Sequence, residues 1–355
     1  MTDSSKKLSA KVSIVLPTYN RGAFLDEAFQ SIREQTLADW ELIVVDDGST
    51  DNTRAMVRTF AASVPQQVHY IYQENQGAYG ARNTGLDHVQ CEYVAFYDSD
   101  DRWLPHHLAD CVAALETNPE VDWVYGAGRI VDHATGRTLA EHTFYVDGQP
   151  RAFLALATRR SGKLQIIEER GAIRCQILSG LYCGLQKSVL RSRVFAGGMR
   201  FAAEERNEAE DQLFAIKVLA AGRRLAYLDQ IHVLYRVHDA NSSGASQASS
   251  LAKRVELIEK MIAGYERLPQ QVMLNRAEQL ALRKRLGRDY FWTLGYALLW
   301  ASGRRQEALV KFRRGLGYYP WSAACWKTYV LARLRMLWAR PADTMQPSEV
   351  AQTDA

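Results

Sequence analysis

The sequence predicts an α/β fold in which a mostly parallel sheet is flanked by helices, followed by a smaller helical subdomain. Short apolar runs of strand length alternate with helical patterns between Val12 and Tyr97, the order expected of parallel strands joined by crossover helices. Acidic residues directly follow two of these runs. Beyond Ser250, apolar residues recur at helical spacing with no strand pattern.

Composition is that of a globular protein with room for a large domain and a smaller one, at 355 residues and 47% hydrophobic content. A net charge of +4 gives no case for nucleic acid as a partner. The five scattered cysteines form no C-x-x-C pair, which favours reduced thiols in a cytoplasm. We expect no signal peptide and no membrane span, and we expect disordered tails at 1–10 and 341–355.

The first strand is expected at Val12–Leu16, where Pro17 ends it. A helix from about 23 to 35 and a second strand at Trp40–Val45 follow. Strand, helix and strand in this order imply a parallel pair with a right-handed crossover, and ligands of such sheets gather at the carboxyl ends of the strands. Asp46 and Asp47 stand at that end, where a simple turn requires neither of them.

A third strand at Val68–Tyr72 leads into a loop punctuated by Gly77 and Gly80, and then into a helix. The glycines could let the backbone approach a phosphate, but they do not form a G-x-G-x-x-G motif. Arg82, at the start of the helix, is placed for a phosphate or for the nearby aspartates. A surface ion pair is the alternative.

The next strand, Tyr93–Tyr97, ends in the carboxylates Asp98, Asp100 and Asp101. Each like-charged pair in contact costs about 1 kcal/mol in water and about 4 kcal/mol in a half-buried cleft, so the group favours a bound cation. Oxygen ligands without histidine neighbours suit Mg²⁺ or Mn²⁺. In isolation, the same run could be a solvated acidic turn before the helix that Pro105 begins.

The middle of the chain is predicted with less regular structure. A helix from 105 to 115 and a strand at 122–128 are expected, followed by loops and short elements over 131–171 that suit substrate specificity. The segment 187–195 is predicted as a short helix.

A buried helix over 208–219 carries Glu210 and Asp211 in its first turn. Adjacent helical residues point about 100° apart, so we expect only one of the two acids to face a cleft, with Glu210 turned away. Asp211 could be a general base, or either acid could simply align with the helix dipole, a contribution of about 0.3–1 kcal/mol. His238 ends the last predicted strand and is either a metal ligand or an ordinary imidazole.

A polar segment at 241–250 is predicted as a mobile loop or linker before the helical subdomain at 251–340. The last helical stretch interleaves tryptophans with Lys311, Arg313, Arg314, Lys327, Arg333, Arg335 and Arg340. Either peripheral contact with a membrane surface or a solvated basic face accounts for this pattern.

Six segments in this order resemble the family 2 glycosyltransferases with the GT-A fold, over about 11–241. They are VSIVLPTYNRG (12–22), WELIVVDDGSTDNT (40–53), NQGAYGARNTGLD (75–87), EYVAFYDSDDRWLP (92–105), EAEDQLF (208–214) and YRVHDANSS (235–243). The resemblance implies a GT-A domain at 11–245 with a mixed, mostly parallel nucleotide-binding sheet.

The resemblance also implies roles for individual residues at the matching positions. Those expected to bind the nucleotide are Pro17, Thr18, Tyr19, Asp46, Asp47, Arg82 and Asp98, with Asp46 and Asp47 at the base and ribose. Those expected to hold Mn²⁺ or Mg²⁺ are Asp98 and Asp100, the D-x-D pair, and His238. Asp211 is expected to be the catalytic base.

The function that the resemblance implies is an inverting, bacterial-type glycosyltransferase. It would move one sugar from a nucleotide-diphosphate sugar, with UDP favoured by family frequency, to a glycan or lipid-linked acceptor in cell-surface polysaccharide or glycoconjugate synthesis. The expected location is the cytoplasm, either free in it or peripheral at the inner face of the cytoplasmic membrane. Tyr97 replaces a small or aliphatic residue of the family pattern, and no Q-x-x-R-W follows, which argues against a processive synthase.

Two other functions remain open from the sequence. A sugar nucleotidyltransferase also begins with a nucleotide-binding α/β sheet, but it would need a glycine-rich basic loop after the first strand. A non-catalytic scaffold would act through the helical C-terminal part.

Overall fold

The computed structural model describes residues 10–168, 171–202, 209–238 and 250–338. The tails predicted as disordered therefore lie outside the described residues, apart from Ala10, and so does most of the polar segment at 241–250. Contacts divide the chain into two compact units, Met1–Leu282 and Arg283–Ala355.

The described part of the first unit contains a large sheet, a small hairpin and several helices. The strands are β1 Val12–Thr18, β2 Trp40–Asp46, β3 Val68–Tyr72, β4 Tyr93–Phe96, β5 Arg102–Trp103, β6 Trp123–Asp132, β7 Thr138–Ala140, β8 Tyr145–Val146, β9 Gln149–Pro150, β10 Thr158–Ser161, β11 Leu164–Ile167, β12 Ser188–Arg191 and β13 Leu225–Val237. The helices are α1 Gly22–Arg33, α2 Thr53–Ser63, α3 Ala78–Leu86, α4 His107–Thr117, α5 Ala172–Leu178, α6 Glu210–Ala220 and α7 Leu251–Gln271, and α8 Arg276–Arg288 leads into the second unit.

The large sheet has the strand order β10-β11-β13-β6-β12-β4-β1-β2-β3. Its β3-β2-β1-β4 half is parallel, as is the β6–β13 pair, whereas β12 runs antiparallel to both of its neighbours. Apolar side chains on both faces are buried: Ile14 and Leu16 lie in one core cluster and Val15 lies in the other. The predicted mixed α/β fold is confirmed.

The parallel register brings the predicted site residues to one edge of the sheet. Thr18 on β1 lies opposite Asp46 on β2, and Val15 lies opposite Phe96 on β4. The carboxyl ends of the three strands therefore lie side by side, because parallel strands all end at the same edge.

The helix predicted at 187–195 is wrong. Residues 188–191 form β12, which pairs Val189 with Ala95 of β4 and Val124 of β6 and is fully buried. Only a 3₁₀ turn, Ser192–Val194, follows it. Two flanking strands satisfy its backbone groups, and this tertiary pairing outweighs the weak local helical pattern.

The boundary between the two compact units, after Leu282, lies later in the chain than the domain boundary predicted between 245 and 251. Helix α7 packs in the first unit, where the hydroxyl of Tyr265 donates to Oε1 of Gln212 at 3.0 Å. The first helix beyond the predicted linker thus belongs structurally to the sheet unit. The functional division into two domains stays a prediction.

The second unit continues from α8 into a π-helical segment, Asp289–Trp300, followed by α9 Arg305–Tyr318 and α10 Ala323–Trp338. Phe291 and Phe312 stack at its centre with ring centroids 4.4 Å apart. Gly315 lies so close that an added Cβ would come 2.9 Å from Cβ of Phe291. No helix among the described residues is both long and apolar enough to cross a bilayer.

We expect Phe312→Ala to lower the free energy of unfolding of the second unit by about 3–5 kcal/mol, because Phe312 is fully buried against Phe291. Urea denaturation followed by tryptophan fluorescence measures the change. Val310→Ala, at a side chain 63% exposed on the same helix, is the matched control and should change stability by less than about 0.5 kcal/mol. Equal effects from the two substitutions would contradict this packing.

Candidate active site

A cleft of about 650 Å³ opens at the carboxyl ends of β1, β2 and β4. Eight of the residues predicted from sequence line it: Pro17, Thr18, Tyr19, Asp47, Arg82, Asp98, Asp100 and Asp211. Asp46 and His238 do not line it, although each contacts the loops that do. Sequence positions almost 200 residues apart are therefore gathered at one opening.

Asp47 organises the loop that enters α3. Its carboxylate accepts hydrogen bonds from the backbone N–H groups of Gln76 and Gly77, at 2.8 and 2.7 Å. Nε2 of Gln73 donates a third, at 2.7 Å. Gly77 adopts φ = 86°, a left-handed conformation that glycine tolerates best. The Asp47 carboxylate therefore both lines the cleft and fixes the backbone of the loop that forms one of its walls.

Asp46 lies behind that wall. Its Oδ1 accepts from the N–H of Ser49 at 2.8 Å, and its Oδ2 accepts from the hydroxyl of Tyr70 at 2.6 Å. Burial, together with the neighbouring Asp46, raises the pKa of Tyr70, so the phenol stays protonated and donates. Both carboxylate oxygens are thus engaged within the protein, and a direct contact of Asp46 with a nucleotide stays a prediction.

Arg82 links the acidic loop that follows β4, residues 98–101, to α6. Its Nη2 donates to Oδ1 of Asp98 at 2.9 Å, and its Nη1 donates to Oε1 of Glu210 at 2.5 Å. Burial opposes the charge, but the two carboxylates outweigh it and raise the pKa of Arg82 above its ordinary value. One guanidinium therefore joins carboxylates that are 112 positions apart in the sequence, and it does so at the surface of the cleft.

The three carboxylates after β4 occupy different environments. Asp98 and Asp100 line the cleft, whereas Asp101 is buried and accepts a hydrogen bond from the N–H of Arg236 at 3.1 Å. Burial raises the pKa of Asp98; Arg82 opposes this shift and Asp100 adds to it. Burial also raises the pKa of Asp101 well above its usual range. Of these three carboxylates, only Asp98 and Asp100 border the cleft.

His238 lies beside this pair. Its Nε2 is 3.2 Å from Oδ2 of Asp100, and its ring stacks on Phe24 with centroids 4.7 Å apart. Burial lowers the pKa of His238, although Asp100 opposes the shift. Asp98 and Asp100 repel each other, and an imidazole lies beside Asp100; a hard divalent cation fits this arrangement because it would relieve the repulsion.

Glu210 and Asp211 both line the cleft, so the expectation that Glu210 turns away is wrong. Helix α6 begins after Ala209, which adopts a left-handed backbone with φ = 59°. The cleft meets the end of the helix rather than its side, and side chains of the first turn that point 100° apart can both border it. Glu210 is the one that pairs with Arg82.

The structure also explains the unusual Tyr97. Its hydroxyl lies 2.6 Å from Oγ of Ser31 and donates to the carbonyl of Asp101 at 2.9 Å. The side chain is fully buried, so the larger residue anchors the acidic loop from below.

Sequence reasoning missed two contributions. Nε of Arg236 donates to the carbonyl of Asp100 at 2.5 Å and so holds the acidic loop against β13. Its position two residues before His238, in the YRVH segment, could have indicated this role. Helix α7 adds Leu257, Ile258 and Met261 to the cleft lining. The sequence pattern assigns this helix to a separate subdomain and therefore does not predict that it reaches the cleft.

Because Arg82 neutralises two partly buried carboxylates, we expect Arg82→Ala to lower the free energy of unfolding by about 3 kcal/mol. Chemical denaturation followed by circular dichroism measures it. Arg58→Ala, at an exposed position on α2, is the control and should change stability by less than about 0.5 kcal/mol. A neutral effect of Arg82→Ala would show that the bridge contributes no net stability.

Comparison with known proteins identifies the family of this chain. The family model described as glycosyl transferase family 2 matches residues 13–192, about half of the chain. The UDP-Glc:alpha-D-GlcNAc-diphosphoundecaprenol beta-1,3-glucosyltransferase WfgD of Escherichia coli is 37% identical over 122 residues, which are 34% of this chain and 47% of WfgD. The succinoglycan biosynthesis protein ExoW of Rhizobium meliloti is 29% identical over 223 residues, 62% of this chain and 67% of ExoW.

The first four curated relatives are matched over only 32% to 47% of their own lengths. Among solved structures, residues 1–349 of S. aureus TarS in complex with UDP superpose with a TM-score of 0.57 at 21% identity, covering 87% of this chain and 81% of that one. The mannosyltransferase PcManGT from Pyrobaculum calidifontis, in complex with GDP-Man and Mn²⁺, gives 0.54 at 18% identity, covering 94% and 88%. At these identities the likeness shows the fold alone, and with the family match it establishes that this chain belongs to the family 2 glycosyltransferases of the GT-A fold.

Proposed function

We propose that the protein transfers a single sugar from a nucleotide-diphosphate sugar to a hydroxyl group of a glycan or lipid-linked acceptor, in cell-surface polysaccharide or glycoconjugate synthesis. The observation that carries the proposal is that one cleft holds both the D-x-D pair, Asp98 and Asp100, and a separate carboxylate, Asp211. Glycosyl transfer needs both: a site for the diphosphate and a group that accepts a proton.

The proposed sugar donor is a UDP-sugar. TarS was solved with UDP, and WfgD is named for a UDP-Glc donor, which supports UDP, while the PcManGT complex contains GDP-Man. Thr18, Tyr19 and Asp47 line the part of the cleft formed by β1 and β2, where the nucleotide would bind. Arg82 lines the same cleft and pairs with two carboxylates, and its contact with the nucleotide or diphosphate stays a prediction.

Asp98, Asp100 and His238 would hold Mn²⁺ or Mg²⁺. When bound, the ion supplies positive charge that stabilises the departing nucleoside diphosphate without a proton. The protein prepares the ligands: Arg82 orients Asp98, Arg236 holds the carbonyl of Asp100, and Tyr97 holds the carbonyl of Asp101. Such prior ordering lowers the reorganisation needed during the reaction.

Asp211 is the proposed general base. It would take the proton from the acceptor hydroxyl as the new bond to the anomeric carbon forms and the bond to the diphosphate oxygen breaks, which inverts the configuration in a single displacement. Glu210 is less suited because Arg82 binds its carboxylate at 2.5 Å. The apolar side chains Leu257, Ile258 and Met261 along the same cleft support an acceptor with an apolar portion, such as a lipid-linked one.

We also propose that α10 binds the anionic inner face of the cytoplasmic membrane. Trp326, Val330, Leu334 and Leu337 recur every three or four residues and are 46% to 75% exposed, so they form an apolar stripe on one side of the helix. Exposed Lys327, Arg333 and Arg335 flank it, and the sequence has no acidic residue between Glu307 and Asp343. Apolar and cationic side chains together suit an anionic lipid interface.

Two substitutions separate the proposed roles in the cleft. Asp211→Asn should lower kcat by about 10²- to 10⁴-fold, because it removes the base without changing the size of the side chain, and it should leave Mn²⁺-dependent UDP binding intact. Asp100→Ala should abolish both transfer and that binding. Sugar transfer is measured through the UDP that it releases. UDP binding is measured by calorimetry with and without Mn²⁺.

Asp26→Asn, at an exposed position on α1, is the control and should retain full activity. Near-normal turnover of Asp211→Asn would refute its assignment as the base. Release of pyrophosphate from a sugar phosphate and a nucleoside triphosphate would instead identify a nucleotidyltransferase.

The membrane proposal predicts co-sedimentation with vesicles of phosphatidylglycerol but not with vesicles of phosphatidylcholine, and weaker binding at high salt. Leu334→Glu should reduce binding because it places a negative charge in the stripe. Leu139→Glu, at a side chain of similar exposure on β7, is the matched control and should bind as the wild type does. Equal binding to both kinds of vesicle would contradict an electrostatic contribution.

A further inference from the structure

We propose that His107, Cys111 and His232 form a Zn²⁺ site in the core of the first unit, between α4 and β13. All three side chains are buried, with His107, Cys111 and His232 each at 0% exposure. None of them lines the cleft. The site is therefore distinct from the carboxylate site formed by Asp98 and Asp100.

The three donor atoms converge as a metal requires. His107 and Cys111 are four residues apart on α4, which places them on one face, and His232 on β13 lies opposite. All three donor atoms lie within 4.8 Å of one another. Nδ1 of His107 is 3.3 Å from Nδ1 of His232 and 3.9 Å from Sγ of Cys111. Two nitrogens bound to one tetrahedral Zn²⁺ lie about 3.3 Å apart, as follows from Zn–N bonds of about 2.0–2.1 Å.

Hydrogen bonding accounts poorly for this cluster. A separation of 3.3 Å between the two Nδ1 atoms is longer than the usual range of about 2.7–3.2 Å for an N–H donor. A Zn²⁺ ion bound to the two Nδ1 atoms would replace this long contact with two Zn–N bonds, and each ring would then carry its proton on Nε2.

Both imidazoles are held in the form that binds metal. Burial lowers the pKa of His232 to about 3 and that of His107 well below its usual value, so both rings are neutral at physiological pH. Burial raises the pKa of the Cys111 thiol, which therefore keeps its proton unless a cation is present. Binding of Zn²⁺ would release that proton to solvent and leave a thiolate on the metal.

Packing fixes the rings in this arrangement. A Cβ on residue 126 would come 2.2 Å from Cδ2 of His232, so only Gly126 leaves space for the ring. The Trp103 ring lies 4.6 Å from that of His107, and Nε2 of His106 contacts the carbonyl of Ile231 at 3.1 Å. The ligands are thus ordered without large side-chain movement.

The donor set selects the ion. Two imidazoles and a thiolate suit Zn²⁺, whereas Mg²⁺ and Mn²⁺ prefer oxygen ligands such as Asp98 and Asp100. With three protein ligands, water would complete a tetrahedral shell. The ion would join α4 to β13, the strand that carries Arg236 towards the acidic loop, so its role is to stabilise the framework of the cleft.

The test is the metal content of the full-length protein after growth with zinc and dialysis, measured by mass spectrometry. We expect one zinc per chain in the wild type and in Cys91→Ser, and loss of zinc in Cys111→Ser. Cys91 is the matched control because it is also buried but contacts Glu41 rather than histidine. A zinc-selective chelator should lower the Tm of the wild type and leave that of Cys111→Ser unchanged.

Substitution with Co²⁺ distinguishes the two metal sites. A thiolate-to-cobalt charge-transfer band should appear in the wild type and in Asp100→Ala, because the carboxylate site has no sulfur ligand, and it should be absent from Cys111→Ser. Substoichiometric zinc and no such band in the wild type would overturn the proposal, and this result does not depend on whether Cys111→Ser folds. Zinc retained in well-folded Cys111→Ser would overturn it as well.

Discussion

Electrostatic repulsion among carboxylates dominates the physics of the cleft. Parallel strands deliver Asp47, Asp98 and Asp100 to one edge of the sheet, and α6 adds Glu210 and Asp211. In a half-buried cleft, each close pair of such charges costs several kcal/mol unless it is compensated. Arg82 supplies the central compensation, since it binds Asp98 and Glu210 at the same time.

The other acids are stabilised in different ways. Asp47 is held by backbone N–H groups, and Asp46 by Ser49 and the hydroxyl of Tyr70. Asp101 turns inward to the N–H of Arg236. Asp98 and Asp100 therefore border the cleft, whereas Asp101 does not.

The same loop connects the cleft to the protein core. Tyr97 anchors the carbonyl of Asp101, and Trp103, two residues further along, packs on His107 while its Nε1 donates to the carbonyl of Gln186 at 2.6 Å. Strand β13 closes the arrangement because it carries both the buried His232 and the loop-binding Arg236. A framework change at α4 or β13 would therefore be transmitted to the D-x-D pair through direct contacts.

Local sequence patterns are enough to predict the alternation of strands and helices, the edge at which ligands gather and the residue types found there. These follow from local periodicity and from the rule that parallel strands end at one edge, which predict β3 at Val68–Tyr72 and place the carboxylates after β4 at that edge. The family resemblance, rather than periodicity, distinguishes Asp98 and Asp100 among those carboxylates. Tertiary structure decided which partner each side chain meets. Arg82 and Glu210 are 128 positions apart, Ser188–Arg191 became a strand only through its two neighbours, and α7 reached the cleft by packing on α6. Such contacts depend on how elements pack in three dimensions, which local periodicity does not encode.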